Sequence, residues 1–129
     1  MEIECTGDVN LNDINSQYRL LFECALDVIL LLDLSGNILD ANHAAVGSYG
    51  YTKDELRSMN GRDLRIPSER GLAAKQLDEA YTEGRIFETV HQRKDGSTFP
   101  VEVSARGIVM GNKKILISIV RDITKRKKY

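Results

Sequence analysis

Leu26-Asp27-Val28-Ile29-Leu30-Leu31-Leu32-Asp33-Leu34-Ser35-Gly36-Asn37-Ile38-Leu39-Asp40-Ala41-Asn42 is the stretch that decides the fold. Val28 to Asp33 is short and rich in branched apolar residues, which reads as a buried strand. Leu34-Ser35-Gly36-Asn37 is a turn cluster, and Asn37 to Ala41 reads as a second strand, so the two form a hairpin. Asn42 then caps a helical stretch whose apolar face is Ala45, Val46 and Tyr49.

Upstream, Ile14, Tyr18, Leu21, Phe22 and Ala25 recur at spacings of three and four behind a candidate cap at Asp13, which predicts an amphipathic helix. Its apolar stripe must be covered by the domain or by another chain. Downstream, Thr52-x-x-Glu55 is a capping box opening a short helix with Leu56 and Met59. Asn60 to Ile66 is irregular. Pro67-Ser68 opens a longer helix that carries Leu72, Ala73, Leu77, Ala80 and Tyr81 and ends at Gly84. From Arg85 the pattern turns to strands over Ile86 to Arg93, Thr98 to Val109 and Lys114 to Asp122. Turns at Lys94-Asp95-Gly96-Ser97 and Gly111-Asn112 join them. In the last strand both Ile115, Ile117, Ile119 and Leu116, Ser118, Val120 are largely apolar sets, which predicts a central strand covered on both sides. The expected architecture is α+β: a five-stranded antiparallel sheet with short helices on one face and an N-terminal amphipathic cap helix.

Composition narrows the function classes. The chain has 129 residues, 42% hydrophobic and 29% charged, which suits one domain with one core. Lys plus Arg is 18 against 19 Asp plus Glu, a net charge of −1 that argues against a nucleic-acid surface. The longest purely apolar run, Val28 to Leu32, is far too short to span a bilayer, so no membrane contact is expected of this segment. Cys5 and Cys24 do not make a disulfide framework; Cys24 reads as a buried structural thiol, and the pattern suits a reducing cytoplasm. No phosphate-cradling glycine motif, nucleophile elbow or metal-spaced His/Cys set occurs. His43 lies at a helix start, and His91 in mid-strand reads as exposed. An enzyme built on either histidine has no other support, so neither catalytic nor metal-binding residues are assigned.

Four segments resemble a PAS domain. The hairpin quoted above leads, as in that family, to the Asn before the first inner helix. Tyr49-Gly50-Tyr51-Thr52-Lys53-Asp54-Glu55-Leu56 is similar to its G-Y-[ST]-x-x-E-L segment. Phe87-Glu88-Thr89 with Arg93-Lys94-Asp95-Gly96-Ser97 is similar to its R-K-D-G hairpin, and Arg121-Asp122-Ile123-Thr124 matches the D-I-T motif that ends the fold. The match runs from about Tyr18 to Thr124. The resemblance divides the chain into a leader or linker remnant (1–12), an N-terminal cap helix (13–26), a PAS core (27–124) and the start of a C-terminal signalling helix (125–129).

The resemblance implies a regulatory module of a larger signalling protein, above all a sensor histidine kinase. Such a module couples small-ligand binding or dimer rearrangement to a C-terminal effector. The alternative it leaves is a ligand-free dimerisation scaffold of a cyclic-dinucleotide enzyme or transcription regulator. It disfavours two cofactors. Covalent flavin members carry a Cys in the segment that is Asn60-Gly61-Arg62-Asp63-Leu64-Arg65 here, and haem members carry a His on the helix that is Ser68 to Gly84 here. The cofactor is otherwise unknown, and a small organic ligand is the remaining expectation. By helix and strand phase, Val46, Tyr49, Met59, Leu64, Ile66, Leu72, Gln76, Phe87, Thr89, Val103 and Ser118 are expected around the inner space, although the apolar ones equally describe a filled core. Asp122 and Thr124 are expected to couple strand to signalling helix, and Ile14, Tyr18, Leu21 and Phe22 to form a homodimer contact.

Overall fold

The computed structural model describes residues 14–128 of the chain. The hairpin is present as β1 (Val28–Leu32) and β2 (Ile38–Ala41), antiparallel with Leu30 opposite Ala41 and Leu32 opposite Ile38. Its turn is closed by Asp33, whose Oδ1 accepts from the backbone N–H groups of Ser35 and Asn37, each at 2.9 Å. Gly36 sits there at φ 88°, a left-handed conformation that a side chain would strain.

Preceding the hairpin is α1 (Ile14–Cys24). Following it come α2 (His43–Tyr49), α3 (Lys53–Arg57), two 3-10 turns (Gly61–Leu64 and Pro67–Leu72) and α4 (Ala73–Glu83). The chain then runs through β3 (Arg85–Gln92), β4 (Thr98–Met110) and β5 (Lys113–Asp122) into α5 (Thr124–Lys128). Sheet order is β2-β1-β5-β4-β3, all neighbours antiparallel, so β5 is central as its two apolar faces predict. Both predicted caps form. Asn42 Oδ1 accepts from Ala45 N at 3.2 Å, and Thr52 and Glu55 make the reciprocal capping box.

Alternation along the strands sorts residues onto two faces. Leu30, Leu32, Val101, Val103, Leu116 and Val120 face the middle helices and pack with Tyr49, Leu56, Leu64 and Ala80 in one buried cluster. On the other face Phe22 packs with Leu31 and Ile115, flanked by the half-buried Ile29, Ile108 and Ile117. Asn42 ties the layers together. It is fully buried, its Oδ1 accepts from Ile29 N at 3.0 Å, and its Nδ2 donates to the carbonyls of Phe22 and Asp27 at 3.0 Å each. α1 is held further by an ion pair of 3.2 Å between the buried Glu23 and Lys53 on α3.

Three readings need correction. Phe22, assigned to a subunit contact, is 6% exposed and spent on its own sheet, because α1 docks directly on β1 and β5. The helix expected from Pro67 begins as a 3-10 turn and becomes α-helical only at Ala73; the Ile66 side chain supplies no cap for its first N–H groups. Cys24 is disulfide-bonded rather than a free thiol. The leader at 1–12 and the cap at Asp13 lie outside the described residues, as does the side chain of Ile14.

Candidate functional site

Between the inner face of the sheet and α4 lies a cavity of about 390 Å³. Ligand pockets begin at roughly 300 Å³. Leu30, Leu32, Val103, Ala105, Leu116, Ser118 and Val120 form its sheet wall, and Ala73, Gln76, Leu77, Ala80 and Tyr81 its helical wall. The helical wall includes three small residues, Ala73, Ala74 and Ala80, which leaves space between α4 and the sheet. Arg62, Arg65, Phe87 and His91 line it too, with Asn60 and Asp78.

Three polar groups in this lining carry chemistry. Gln76 contributes a buried side-chain oxygen, Oε1, with no hydrogen-bond partner among the described residues. A buried amide group left unpaired costs about 1–3 kcal/mol, so such groups are normally satisfied. Arg65 is only 7% exposed. Its guanidinium carbon lies 5.2 Å from the Phe87 ring centroid, and Nη1 donates to the Glu69 carbonyl at 3.2 Å. Burial draws its pKa down, and the charge of Glu69 opposes this. The third group is His91, 4% exposed, whose Nδ1 is 2.7 Å from the Tyr49 hydroxyl. Burial, reinforced by the charge of Arg65, depresses the His91 pKa to about 3, so the ring is neutral at pH 7. Burial likewise pushes the Tyr49 hydroxyl pKa up, which keeps it a phenol. Two neutral groups, the Tyr49 hydroxyl and the His91 imidazole, therefore share this hydrogen bond.

Of the expected inner residues, Gln76, Phe87, Val103 and Ser118 line the cavity together. Val46, Tyr49, Met59, Leu64, Ile66, Leu72 and Thr89 do not. Tyr49 and Leu64 are fully buried in the solid part of the core, and Val46 and Met59 pack against it. Ile66 is half-buried, its N–H donating to the Val90 carbonyl at 3.1 Å. Thr89 is screened by Glu69, whose Oε1 accepts from its hydroxyl at 3.1 Å. Leu72 is 54% exposed, because the 3-10 turn advances each side chain by about 120° rather than the 100° of an α-helix.

Arg65 was not assigned to the site from the sequence, and His91 was read as exposed. A signal for His91 was present: Phe87, Thr89 and His91 alternate along β3, so the phase that sends the first two inward sends the third inward as well. The expectation of an exposed His91 is thereby corrected. No comparable signal marks Arg65, which sits between two 3-10 turns.

A family model for the PAS domain matches residues 26–125. The chain belongs to the PAS domain family. A methyl sulfide methyltransferase-associated sensor of Methanosarcina acetivorans is 36% identical over 121 residues, 92% of this chain. A diguanylate cyclase of Escherichia coli is 31% identical over 78% of the chain. The chain spans only 12% and 25% of the lengths of these two proteins. Among solved structures, a domain of a sensory box sensor histidine kinase/response regulator from Geobacter sulfurreducens superposes with a TM-score of 0.72 at 32% identity, covering 88% of this chain and 98% of that one. The chain is thus a PAS sensor domain, a regulatory module of the kind found in signalling proteins.

At the end of the PAS core, Asp122 Oδ1 accepts from the backbone N–H of Thr124 at 2.9 Å, which starts α5. Its other oxygen is 3.9 Å from Arg93. Arg93 also stacks on Phe99, 4.0 Å from the centroid, and its Nε donates to the Ser48 carbonyl at 2.9 Å. Ser48 precedes Tyr49, the residue bonded to His91 in the cavity wall. Tyr18 and Leu21 on α1 are 43% and 74% exposed. No helix among the described residues is long and apolar enough to cross a membrane.

Proposed function

We propose that this PAS domain binds a small organic ligand in the cavity and transmits occupancy through Asp122 and Thr124 to a C-terminal effector, a histidine kinase in the leading reading. The observation that carries the reading is Gln76 Oε1, a buried and unpartnered acceptor in a cavity wall, which a ligand donor would satisfy. Transmission has a physical route in Arg93, which touches both the α2 end and Asp122. A ligand can bias such a route only by binding two arrangements of the domain unequally. The domain is read as cytoplasmic, within a homodimeric parent that a membrane segment elsewhere can anchor, with Tyr18 and Leu21 on the face between copies.

Gln76→Leu tests the ligand-binding role. Removal of an orphaned buried polar group should raise the apo melting temperature. It should also abolish the thermal stabilisation that the small-molecule fraction of a cell extract gives the parent sequence. A lower apo melting temperature with stabilisation intact overturns the assignment.

A second reading, a ligand-free dimerisation scaffold in a cyclic-dinucleotide enzyme or transcription regulator, is favoured by the exposed apolar residues Leu21, Ile86, Val109 and Ile119. It predicts dimers in sedimentation that Leu21→Glu dissolves, with no response to extract.

A further inference from the structure

We infer that the cavity selects a small organic acid, a single carboxylate seated on Arg65 with an apolar body against Phe87, Val103 and Val120. The inference rests on the reading of the cavity as a ligand site and adds its charge class.

Its basis is a buried cation with no carboxylate at ion-pair distance among the described residues, only the more distant charge of Glu69. A guanidinium stays protonated at any physiological pH, and buried charges are normally paired. Yet among the described residues no carboxylate lies within 4.0 Å of Arg65, although nine other ion pairs do meet that distance. The obvious candidate, Glu69 one turn away, is engaged by the Thr89 hydroxyl at 3.1 Å. Glu69 offers Arg65 its backbone carbonyl instead, which takes only one of five guanidinium N–H donors. The guanidinium carbon also lies 5.2 Å from the centroid of Phe87, a cation–π contact with a ring that itself lines the cavity. A planar fork with donors left over beside an apolar space is the arrangement that binds a carboxylate through two parallel hydrogen bonds.

The neighbours specify the rest. His91 is neutral in the fold, so it adds a polar group and no second charge. Gln76 presents an acceptor, which suits a hydroxyl or N–H on the ligand body. The other charged residues in the lining, Arg62 and Asp78, are exposed and of opposite sign. One buried cation among largely neutral walls therefore calls for a monoanion rather than a dicarboxylate or a phosphate ester.

The test is a calorimetric panel of hexanoate, octanoate, phenylacetate, 4-hydroxyphenylacetate and indole-3-acetate, each beside its primary amide, which matches it in shape but lacks the charge. The expected result is at least one acid binding about tenfold or more tighter than its amide, since hydrogen bonds to charged groups are roughly twice as strong as neutral ones. The preference should disappear in Arg65→Met and survive in Arg62→Met. Amides binding as tightly as acids would overturn the charge assignment and leave the cavity reading standing. A preference that persists in Arg65→Met would overturn the role of Arg65. Binding by no acid and no amide would overturn both the acid assignment and the cavity reading. Should Arg65→Met fail to fold by circular dichroism, the acid-to-amide ratio in the parent sequence decides alone.

Discussion

Lowering the pH from 7.5 to 4.5 separates the folded from the unfolded chain at His91. His91 has a pKa of about 3 in the fold, against the ordinary 6.5 of an exposed imidazole. At pH 7.5 it is neutral whether the chain is folded or not. At pH 4.5 the unfolded chain binds a proton there and the folded one does not. Stability must therefore fall as the pH drops below 6.5, and keep falling toward 3. Two pH units of this window, from 6.5 to 4.5, correspond to roughly 2.5 kcal/mol. Urea titrations at both pH values give the total loss. The share due to His91 comes from repeating them on His91→Gln, which does not titrate and keeps a polar partner near the Tyr49 hydroxyl. Glu55, held below the usual carboxylate range by Lys94, and Asp95, held there by Ser97, lose stabilisation in acid as well. They do so in both proteins, so their effect cancels in the difference. The parent sequence should lose about 2.5 kcal/mol more than the variant. Equal losses would refute the buried neutral imidazole.

Three further outcomes follow from the packing. Asn42→Ala removes four hydrogen bonds that join α1, β1 and α2, and should cost about 3 kcal/mol or more in urea titrations; a cost under about 1 kcal/mol would contradict that role. Gly107→Ala places a Cβ against the Tyr81 ring and 2.8 Å from the Tyr81 carbonyl oxygen, so α4 must move off the sheet. A loss of at least about 1–3 kcal/mol is expected by thermal denaturation, and an unchanged midpoint would show that the helix yields freely. Asp122→Ala removes the acceptor for the Thr124 N–H at the start of α5 and the Arg93 contact, neither of which lines the cavity. It should change the output of a full-length parent while leaving ligand affinity within about twofold, and unaltered output would remove Asp122 from the coupling role.

Local chemistry made most of the fold legible. Asp33 and Gly36 announce the hairpin turn, Asn42 and Thr52 announce two helix starts, and the doubly apolar β5 announces its place at the centre of the sheet. Each signal is carried by neighbours in sequence. The cavity was less legible because it depends on what is missing from a wall. Ala73, Ala74 and Ala80 look like ordinary helix formers until the distance to the sheet is known. Residues placed inward by phase alone, such as Leu64 and Tyr49, do point inward, but into the filled half of the core. Leu72 was misplaced by taking the whole 67–83 segment as α-helix. Phe22 shows the same limit from the opposite side: an apolar stripe states that something covers it, and only the tertiary structure reveals its own sheet as the cover. Arg65 is the extreme case, since nothing in its neighbourhood distinguishes a buried arginine from the exposed Arg62.

The most direct test of a ligand-binding cavity is a native mass spectrum of freshly purified protein beside a denaturing one. The account predicts an additional small mass that is present in the native spectrum and lost on denaturation, or regained when the stripped protein meets the small-molecule fraction of a cell extract. A protein that is purified free of ligand and stays so in that extract would contradict it.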